Sequence, residues 1–168
     1  MRIGSILENQ NIDKRISITP EIAKKYISLG FEISLSKNYG AHLGIIDNEY
    51  TSLGVKILKD DNEIISNSDL LIQLGLLSDE KCSIIKENQI LIGIFNPYNN
   101  KNKLENLIKK NIKIFSLELL PRITRAQSMD ILSSQANLAG YKAVIEAFAN
   151  FKKAIPMMMT AAGTISAA

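Results

Sequence analysis

The residues best suited to chemistry lie together in one stretch, Pro121 to Tyr141, which reads PRITRAQSMDILSSQANLAGY. An arginine presents a planar fork of N–H donors, an aspartate accepts hydrogen bonds, and a glutamine does both. Cysteine, histidine and lysine are absent from this stretch. The set therefore favours holding a polar ligand over nucleophilic or acid–base chemistry.

Each of these residues also has a purely structural interpretation. Arg122 and Arg125 are of a type that is usually exposed at a protein surface. Asp130 or Ser133 is suited to cap the helix that follows, because both are good N-cap residues. Tyr141, on the apolar face of that helix, is interpreted as a core residue before it is considered a ligand contact.

Composition limits the class of protein. The chain has 168 residues, of which 46% are hydrophobic, and this predicts one compact α/β domain. Its net charge of +3 is spread along the chain, so nucleic-acid binding is not expected. With one cysteine, Cys82, and one histidine, His42, neither an internal disulfide nor a His-based or Cys-based metal site is expected.

No stretch has the length of a membrane span. Met1–Glu8 is too short and polar for a signal peptide. The longest uncharged stretch, Ala154–Ala168, falls short of the about 20 apolar residues that a bilayer requires. We therefore expect a chain without a membrane span of its own.

Apolar runs alternate with short amphipathic segments along the first two thirds of the chain. Near-continuous apolar strands are typical of a parallel sheet covered on both faces by helices, as in Rossmann-like or flavodoxin-like folds. Thr19 and Pro20 predict the start of the first helix. Six strands are predicted, at Arg2–Leu7, Phe31–Leu35, Val55–Leu58, Leu70–Leu74, Gln89–Phe95 and Lys113–Leu117.

The pattern changes near Leu138. Apolar residues at helical spacing from Leu138 to Phe151 predict one face of a long helix, which Pro156 ends. The segment Met157–Ala168 is small and apolar, and no cap or strand is expected in it.

Several of these motifs together carry a resemblance. The run PRITRAQSMDILSSQANLAGYKAVIEA, the later MMMTAAGTISAA, the opening DKRISITP and the segment GAHLGIIDNEYTSLGV resemble the alanine dehydrogenase/transhydrogenase N-terminal domain family. The first run is the most specific, and it resembles the α subunits of proton-translocating NAD(P) transhydrogenases. The resemblance extends over essentially the whole chain.

The resemblance implies a dimeric, NAD(H)-binding subunit that passes a hydride from NADH to NADP⁺. It implies an NADP(H)-binding β subunit and membrane segments as partners, which couple the reaction to proton movement. The subunit would then lie on the cytoplasmic side of a membrane, held there by its partners.

The domain organisation follows from the same resemblance. Residues 1–137 would form the N-terminal domain, including a nicotinamide-contact loop at 121–134. Residues 138–168 would form a connecting helix and the start of a truncated NAD-binding domain. The nine glycines contain no GxGxxG, so the second Rossmann domain is expected to be missing and the chain alone to be inactive.

Residue roles are carried over by the same resemblance. Arg122, Gln127 and Asp130 would contact NAD(H) near its nicotinamide end, and Ser133 would contact the carboxamide. Tyr141 is a looser candidate. No catalytic residue and no metal are expected, because hydride transfer between two nicotinamides needs close, dry positioning and no proton donor at the rings.

Two alternatives stay open. In the alanine dehydrogenase relatives, the residue matching Arg15 binds the substrate carboxylate, and a lysine and a histidine stand where this chain has Gly75 and Asn96. Glycine cannot transfer a proton or polarise a carbonyl, so the amino-acid dehydrogenase alternative is disfavoured and Arg15 is predicted to be structural, bridging strand ends. The other alternative is a non-catalytic dimerisation or docking module.

Overall fold

The computed structural model describes residues 1–153 and 155–166. The chain divides into two compact units, Met1–Leu120 and Pro121–Ala168. We call them the first and the second unit and describe each by itself.

The first unit is built on a six-stranded sheet in which every neighbouring pair of strands is parallel. The order across the sheet is β3-β2-β1-β4-β5-β6. The strands are β1 (Arg2–Ser5), β2 (Glu32–Ser36), β3 (Lys56–Leu58), β4 (Leu70–Ile72), β5 (Ile90–Gly93) and β6 (Lys113–Ser116). All six lie within the segments predicted from the sequence, apart from one residue at the end of β2.

Helices connect successive strands and cover both faces of the sheet. They are α1 (Pro20–Ser28), α2 (Asp47–Thr51), α3 (Asp61–Asn67), α4 (Asp79–Ile84) and α5 (Lys101–Lys109). One core packs α1 and α2 on the sheet through Ala23 and Tyr50, and a second core packs α3 to α5 on it through residues such as Ile64 and Leu107. Adjacent β4 residues Leu70 and Leu71 belong to different cores, because successive strand side chains point to opposite faces.

The strand order identifies the type of α/β fold. Order 3-2-1-4-5-6 is that of Rossmann folds, in which the direction of winding reverses between β1 and β4. The predicted parallel sheet with helices on both faces is therefore confirmed, and the topology is Rossmann-like. Ligands of such sheets bind in the crevice at the carboxyl ends of the strands, at this point of reversal.

The start of α1 agrees with the sequence prediction. Thr19 is the N-cap, and its hydroxyl accepts a hydrogen bond from the Ile22 N–H at 3.3 Å. Pro20 occupies the first helical position, where its missing N–H costs no hydrogen bond. Gly30 follows the helix with φ of +86°, which a residue with a side chain rarely adopts.

A buried polar network joins β1 to its neighbours. The Tyr39 hydroxyl lies 2.7 Å from Ser5 Oγ and accepts hydrogen bonds from the Ser17 and Ile18 N–H groups. Ser5 Oγ in turn donates to Gln73 Oε1 at 3.0 Å. These hydrogen bonds hold the backbone at Ser17 and Ile18 against the sheet, although the buried Ser17 hydroxyl oxygen itself has no hydrogen-bond partner.

The second unit contains a longer helix than the apolar pattern indicated. A 3₁₀ segment at Thr124–Met129 precedes α6 (Ile131–Asn150), so the helix begins seven residues before Leu138. The reason is local: the Asp130 side chain caps the helix by accepting the Ser133 N–H. The polar 131–137 segment is therefore helical.

The prediction that no strand follows residue 157 is wrong. Strand β7 (Met158–Thr160) pairs antiparallel with β8 (Gly163–Ile165) across a two-residue turn. The Thr160 hydroxyl donates to the Gly163 carbonyl oxygen and accepts from the Ala162 N–H, and Gly163 has φ of +133°. The available signal was a glycine three positions after a β-branched threonine, a spacing that suits a tight hairpin with two residues in its turn.

The apolar face of α6 is exposed along its length. None of the twenty residues of α6, all of which the structure describes, is buried. Leu138, Tyr141, Ile145 and Phe148 have exposed fractions of 59%, 69%, 41% and 56%. The interpretation of Tyr141 as a core residue is therefore wrong for the described chain.

Candidate functional site

The polar residues singled out in the sequence meet around one cavity in the second unit. It has a volume of about 290 Å³ and is lined by Arg122, Ile123, Thr124, Gln127 and Asp130. All five lie in the 3₁₀ segment Thr124–Met129 or within two residues of it, and the tight turns of such a segment keep their side chains close together. Three of the four predicted contact residues thus share one cavity.

Ser133, the fourth predicted residue, does not line this cavity but contacts a residue that does. Its hydroxyl donates to Asp130 Oδ2 at 2.7 Å, and its N–H donates to Asp130 Oδ1 at 3.0 Å. The two bonds fix the orientation of the carboxylate while using only part of its acceptor capacity. In this structure Ser133 therefore positions Asp130.

The charge of Asp130 is stabilised by its neighbours. Hydrogen bonds from the Ser133 N–H and hydroxyl hold the pKa of Asp130 below its usual range, and the positive charge of Arg122 acts in the same direction. Asp130 is thus an ionised acceptor at neutral pH. The cavity presents an anionic acceptor, a cationic donor fork and an amide that both donates and accepts.

Two neighbouring candidates lie outside the cavity lining. Arg125 is exposed and is absent from the residues that line it. Tyr141 stands on α6, more than two turns beyond Asp130, and is also absent from the lining. The structure therefore distinguishes the two arginines: Arg122 lines the cavity and Arg125 does not.

A second, larger cavity lies in the first unit at the reversal point of the sheet. This crevice, of about 490 Å³, is lined by residues that follow β1, β4 and β5, among them Glu8, Arg15, Gln73, Gly75 and Ile94. Asn96 is not part of the lining. Of the three positions compared with amino-acid dehydrogenases, only Arg15 and Gly75 reach the crevice.

Arg15 forms an ion pair within its own loop. Its Nη2 lies 2.6 Å from Asp13 Oδ2, and its Nε donates to Asp13 Oδ1 at 3.0 Å. This pairing holds the pKa of Asp13 below its usual range. The ion pair joins residues two positions apart, so it helps to order the 13–15 loop, and the bridging of strand ends by Arg15 stays a prediction.

Glu8 is the residue that sequence reasoning missed. Its Oε1 accepts from the Leu74 N–H at 2.5 Å and from Gln73 Nε2 at 3.3 Å. Burial raises the pKa of Glu8, although the N–H groups of Leu74 and Gly75 oppose the shift. The signal available in the sequence was an acidic residue directly after the first strand of an α/β sheet, where ligand-facing residues lie.

Replacing Glu8 by glutamine is expected to change how stability depends on pH. A group whose pKa is raised by folding stabilises the protein most below its unfolded pKa, and this contribution is lost as pH rises through the folded pKa. The stability of wild type relative to Glu8→Gln should therefore fall as pH rises above the ordinary range of a glutamate, about pH 4. Urea unfolding at three pH values measures this difference.

Asp13→Asn is the matched control for Glu8→Gln, because the pKa of Asp13 is shifted down. Its stabilising contribution should be present at neutral pH and lost as pH falls through the folded pKa. Parallel pH profiles for the two variants would contradict the assignment of the raised pKa to Glu8.

The other titratable candidates are accounted for by local packing. The two ring nitrogens of His42 lie 2.7 Å from the Lys14 carbonyl oxygen and 3.2 Å from Gln10 Nε2. Cys82 is buried in α4, as predicted, and burial raises the pKa of its thiol. Within the part of the chain that the structure describes, no group of three or more His, Cys, Asp or Glu side chains is placed to hold a metal ion.

Among residues 1–153 and 155–166, no helix combines the length and the apolarity needed to cross a membrane.

Comparison with known proteins supports one family. A profile described as "Alanine dehydrogenase/PNT, N-terminal domain" matches residues 5–139. The first part of NAD(P) transhydrogenase subunit alpha from Rickettsia prowazekii is 42% identical over 99% of this chain and 45% of its own length. The corresponding protein from Rhodospirillum rubrum is 39% identical over 98% of this chain and 44% of its own length.

A solved structure agrees with these relatives. The crystal structure of transhydrogenase from Sinorhizobium meliloti superposes with a TM-score of 0.91 at 37% identity, over 100% of this chain and 50% of that one. This chain thus spans about half the length of the relatives it matches. The resemblance inferred from the sequence is confirmed, and the chain belongs to the alanine dehydrogenase/PNT N-terminal domain family.

Proposed function

We propose that this chain forms the nicotinamide-contact part of the NAD(H)-binding α subunit of a proton-translocating NAD(P) transhydrogenase. The observation that carries the proposal is the grouping of Arg122, Gln127 and Asp130 around one cavity. The relatives named transhydrogenase subunit alpha support it at the level of the family. In this proposal a hydride passes from NADH to NADP⁺.

The residues of the cavity fit the nicotinamide end of NAD(H). A carboxamide offers both a donor and an acceptor, and ribose offers hydroxyl donors. Asp130 supplies an ionised acceptor held by Ser133, Arg122 supplies a donor fork, and Gln127 supplies both functions. Bound NAD(H) supplies the hydride, and these side chains orient the ring and help to exclude water from it.

In the proposed enzyme, different segments and subunits have different roles. Residues 1–137, with the loop at 121–134, act as the N-terminal domain, and residues 138–168 begin the connection to a nucleotide-binding domain. A β subunit binds NADP(H), and membrane segments of the partners carry the protons. The α subunit is held by those partners at the cytoplasmic side of the membrane.

Replacing Asp130 by asparagine is expected to weaken NADH binding and hydride transfer while leaving α6 intact. Asparagine is as good an N-cap as aspartate, so the Ser133 N–H keeps its acceptor, while the negative charge and the oxygen that accepts from the Ser133 hydroxyl are lost. The measurements are the KM for NADH in the complete enzyme and helix content by circular dichroism. Loss of helix content equal to the loss of activity would favour a purely structural Asp130.

We also propose that the chain acts as a homodimer through the exposed apolar face of α6. Leu138, Tyr141, Ile145 and Phe148 follow one another at helical spacing, and monomeric proteins rarely leave such a continuous stripe in water. Phe148→Glu is expected to shift the protein to monomer, because a buried unpaired charge is costly. Sedimentation velocity measures the shift.

Ala143→Glu is the matched control for the dimer, since it adds the same charge to the opposite face of α6. It should leave the sedimentation coefficient unchanged. A monomeric wild type, or an equal effect of the two variants, would overturn the proposed interface.

The function itself is tested with NADH titration and two activity assays. The chain alone is expected to bind NADH weakly, and the complete enzyme is expected to transfer hydride from NADH to an NADP⁺ analogue. Tight binding of NADH by this chain alone would contradict the assignment of the main nucleotide site to another segment. Absence of transhydrogenation in the complete enzyme would favour a docking module.

The amino-acid dehydrogenase alternative has its own assay. Arg15 lines the crevice, but Gly75, which stands there in place of the lysine of the dehydrogenase relatives, has no group that could transfer a proton. NADH oxidation that depends on pyruvate and ammonia, measured on the complete enzyme, would overturn the transhydrogenase proposal in favour of this alternative.

A further inference from the structure

The crevice at the carboxyl ends of β1 and β4 contains a set of converging N–H donors. The Leu74 N–H and Gln73 Nε2 donate to Glu8 Oε1, and the Gly75 N–H is directed at the same carboxylate. These three donors come from the segment directly after β4. Such a convergence of N–H groups is the usual protein arrangement for binding a carboxylate.

The orientation of the Gln73 amide is determined by the core. Gln73 is 2% exposed, and its Oε1 accepts from the Ile6 N–H at 2.8 Å and from Ser5 Oγ at 3.0 Å. A rotated amide would place its N–H₂ group against the Ile6 N–H, which is also a donor. Nε2 is therefore directed towards the Ile6 carbonyl oxygen and Glu8, and the third donor is pre-oriented.

The cations that line the crevice already have carboxylate partners. Arg15 pairs with Asp13, Lys81 lies 2.6 Å from an oxygen of Asp61, and Lys103 lies 2.6 Å from an oxygen of Asp79. Asp13 is the other acidic residue of the crevice lining. The hydrogen bonds to Glu8 therefore come from the N–H donors of the segment after β4, and the crevice cations pair with other carboxylates.

We propose that Leu74, Gly75 and Gln73 form a carboxylate-binding cradle and that Glu8 is its built-in occupant, which closes this end of the crevice to small external acids. The remaining space of the crevice is bordered by side chains such as Ile12, Leu76 and Ile94. Position 75 adjoins the occupant, because a Cβ there would stand 3.7 Å from Glu8 Oε2. The N–H donors at this end of the crevice are therefore occupied by the chain's own acid, at the edge of the sheet where ligands of such folds bind.

Removal of the occupant should make the cradle accessible to acetate. In the 168-residue chain carrying Glu8→Ala, acetate is expected to raise the melting temperature and to shift the Leu74 and Gly75 amide resonances saturably at neutral pH. Wild type should show neither response, because its cradle is filled. Sodium chloride at equal ionic strength controls for salt, and Asp13→Ala controls for the loss of a different crevice carboxylate.

Two results would overturn the proposal. One is an equal response of the Leu74 and Gly75 amides to acetate in wild type, and the other is no response in folded Glu8→Ala. Should Glu8→Ala fail to fold with or without acetate, Glu8→Gln supplies the test. In wild type the two amide proton resonances should titrate with Glu8, and in Glu8→Gln this titration should vanish. Its persistence would show that Glu8 is not the occupant.

Discussion

Under the proposed function, replacing Arg122 by alanine in the complete enzyme is expected to lower hydride transfer roughly a hundredfold, the scale of loss that follows misplacement of a bound reactant. Arg122 lines the same cavity as Gln127 and Asp130, and its positive charge helps to lower the pKa of Asp130. In the proposed site, loss of the planar donor fork would remove a group that orients NAD(H). The measurement is the steady-state rate of NADP⁺-analogue reduction by NADH.

The stability of the Arg122→Ala variant should stay close to that of wild type. The side chain is exposed, and exposed substitutions usually change the free energy of unfolding by less than about 0.5 kcal/mol. A variant with equally large losses of activity and melting temperature would favour a structural role for Arg122.

Arg125→Ala is the matched control for Arg122. The two arginines stand three residues apart and are both exposed, but only Arg122 lines the cavity. Arg125→Ala is expected to keep most of the hydride-transfer rate. If both substitutions lower the rate equally, the cavity does not define the contact site and the proposed role of Arg122 is lost.

Replacing Gly93 by alanine is expected to destabilise the first unit by about 3 kcal/mol, the upper part of the range for overpacked cores. A Cβ on Gly93 would stand 2.1 Å from the Gln73 carbonyl oxygen and 2.6 Å from a ring carbon of Phe95. The oxygen belongs to the backbone of the neighbouring segment, so it cannot rotate away. Thermal unfolding should show a melting temperature lowered by roughly 10 °C.

Gly75→Ala is the control for Gly93→Ala. The nearest atom to a Cβ on Gly75 is Glu8 Oε2 at 3.7 Å, which is an ordinary contact distance. This substitution should change the free energy of unfolding by no more than about 0.5 kcal/mol. Equal destabilisation by the two substitutions would show that loss of glycine, and not the clash at Gly93, is the cause.

The fold was predictable because it depends on patterns that are local in the sequence. Apolar runs such as Gln89–Phe95 have the length and composition of buried strands, and the helices between them begin at recognisable caps such as Thr19 and Ser78. Alternation of strand and helix then leaves a parallel sheet with two covered faces as the architecture.

Element boundaries in the second unit were less predictable. The apolar spacing from Leu138 marks one face of α6, but the helix begins where Asp130 accepts the Ser133 N–H. The first turn of α6 is polar, so it contributes no apolar spacing from which the start of the helix could be predicted. The Asp130 cap depends on the conformation of its side chain, which the sequence does not give. The β7–β8 hairpin was missed for a related reason, since three-residue strands carry little periodicity.

The sequence by itself determined the α/β architecture, the family and the residue types of the candidate site, because strand patterns, caps and motifs are contiguous in the chain. Only the tertiary structure decided that Arg122 shares a cavity with Asp130 while Arg125 does not, and that Glu8 occupies the donors after β4. The first fact depends on how the 3₁₀ segment turns the side chains, and the second on a contact between residues 66 positions apart, Glu8 and Leu74. Strand order and side-chain packing decide which residues come into contact, and a short stretch of sequence does not determine either of them.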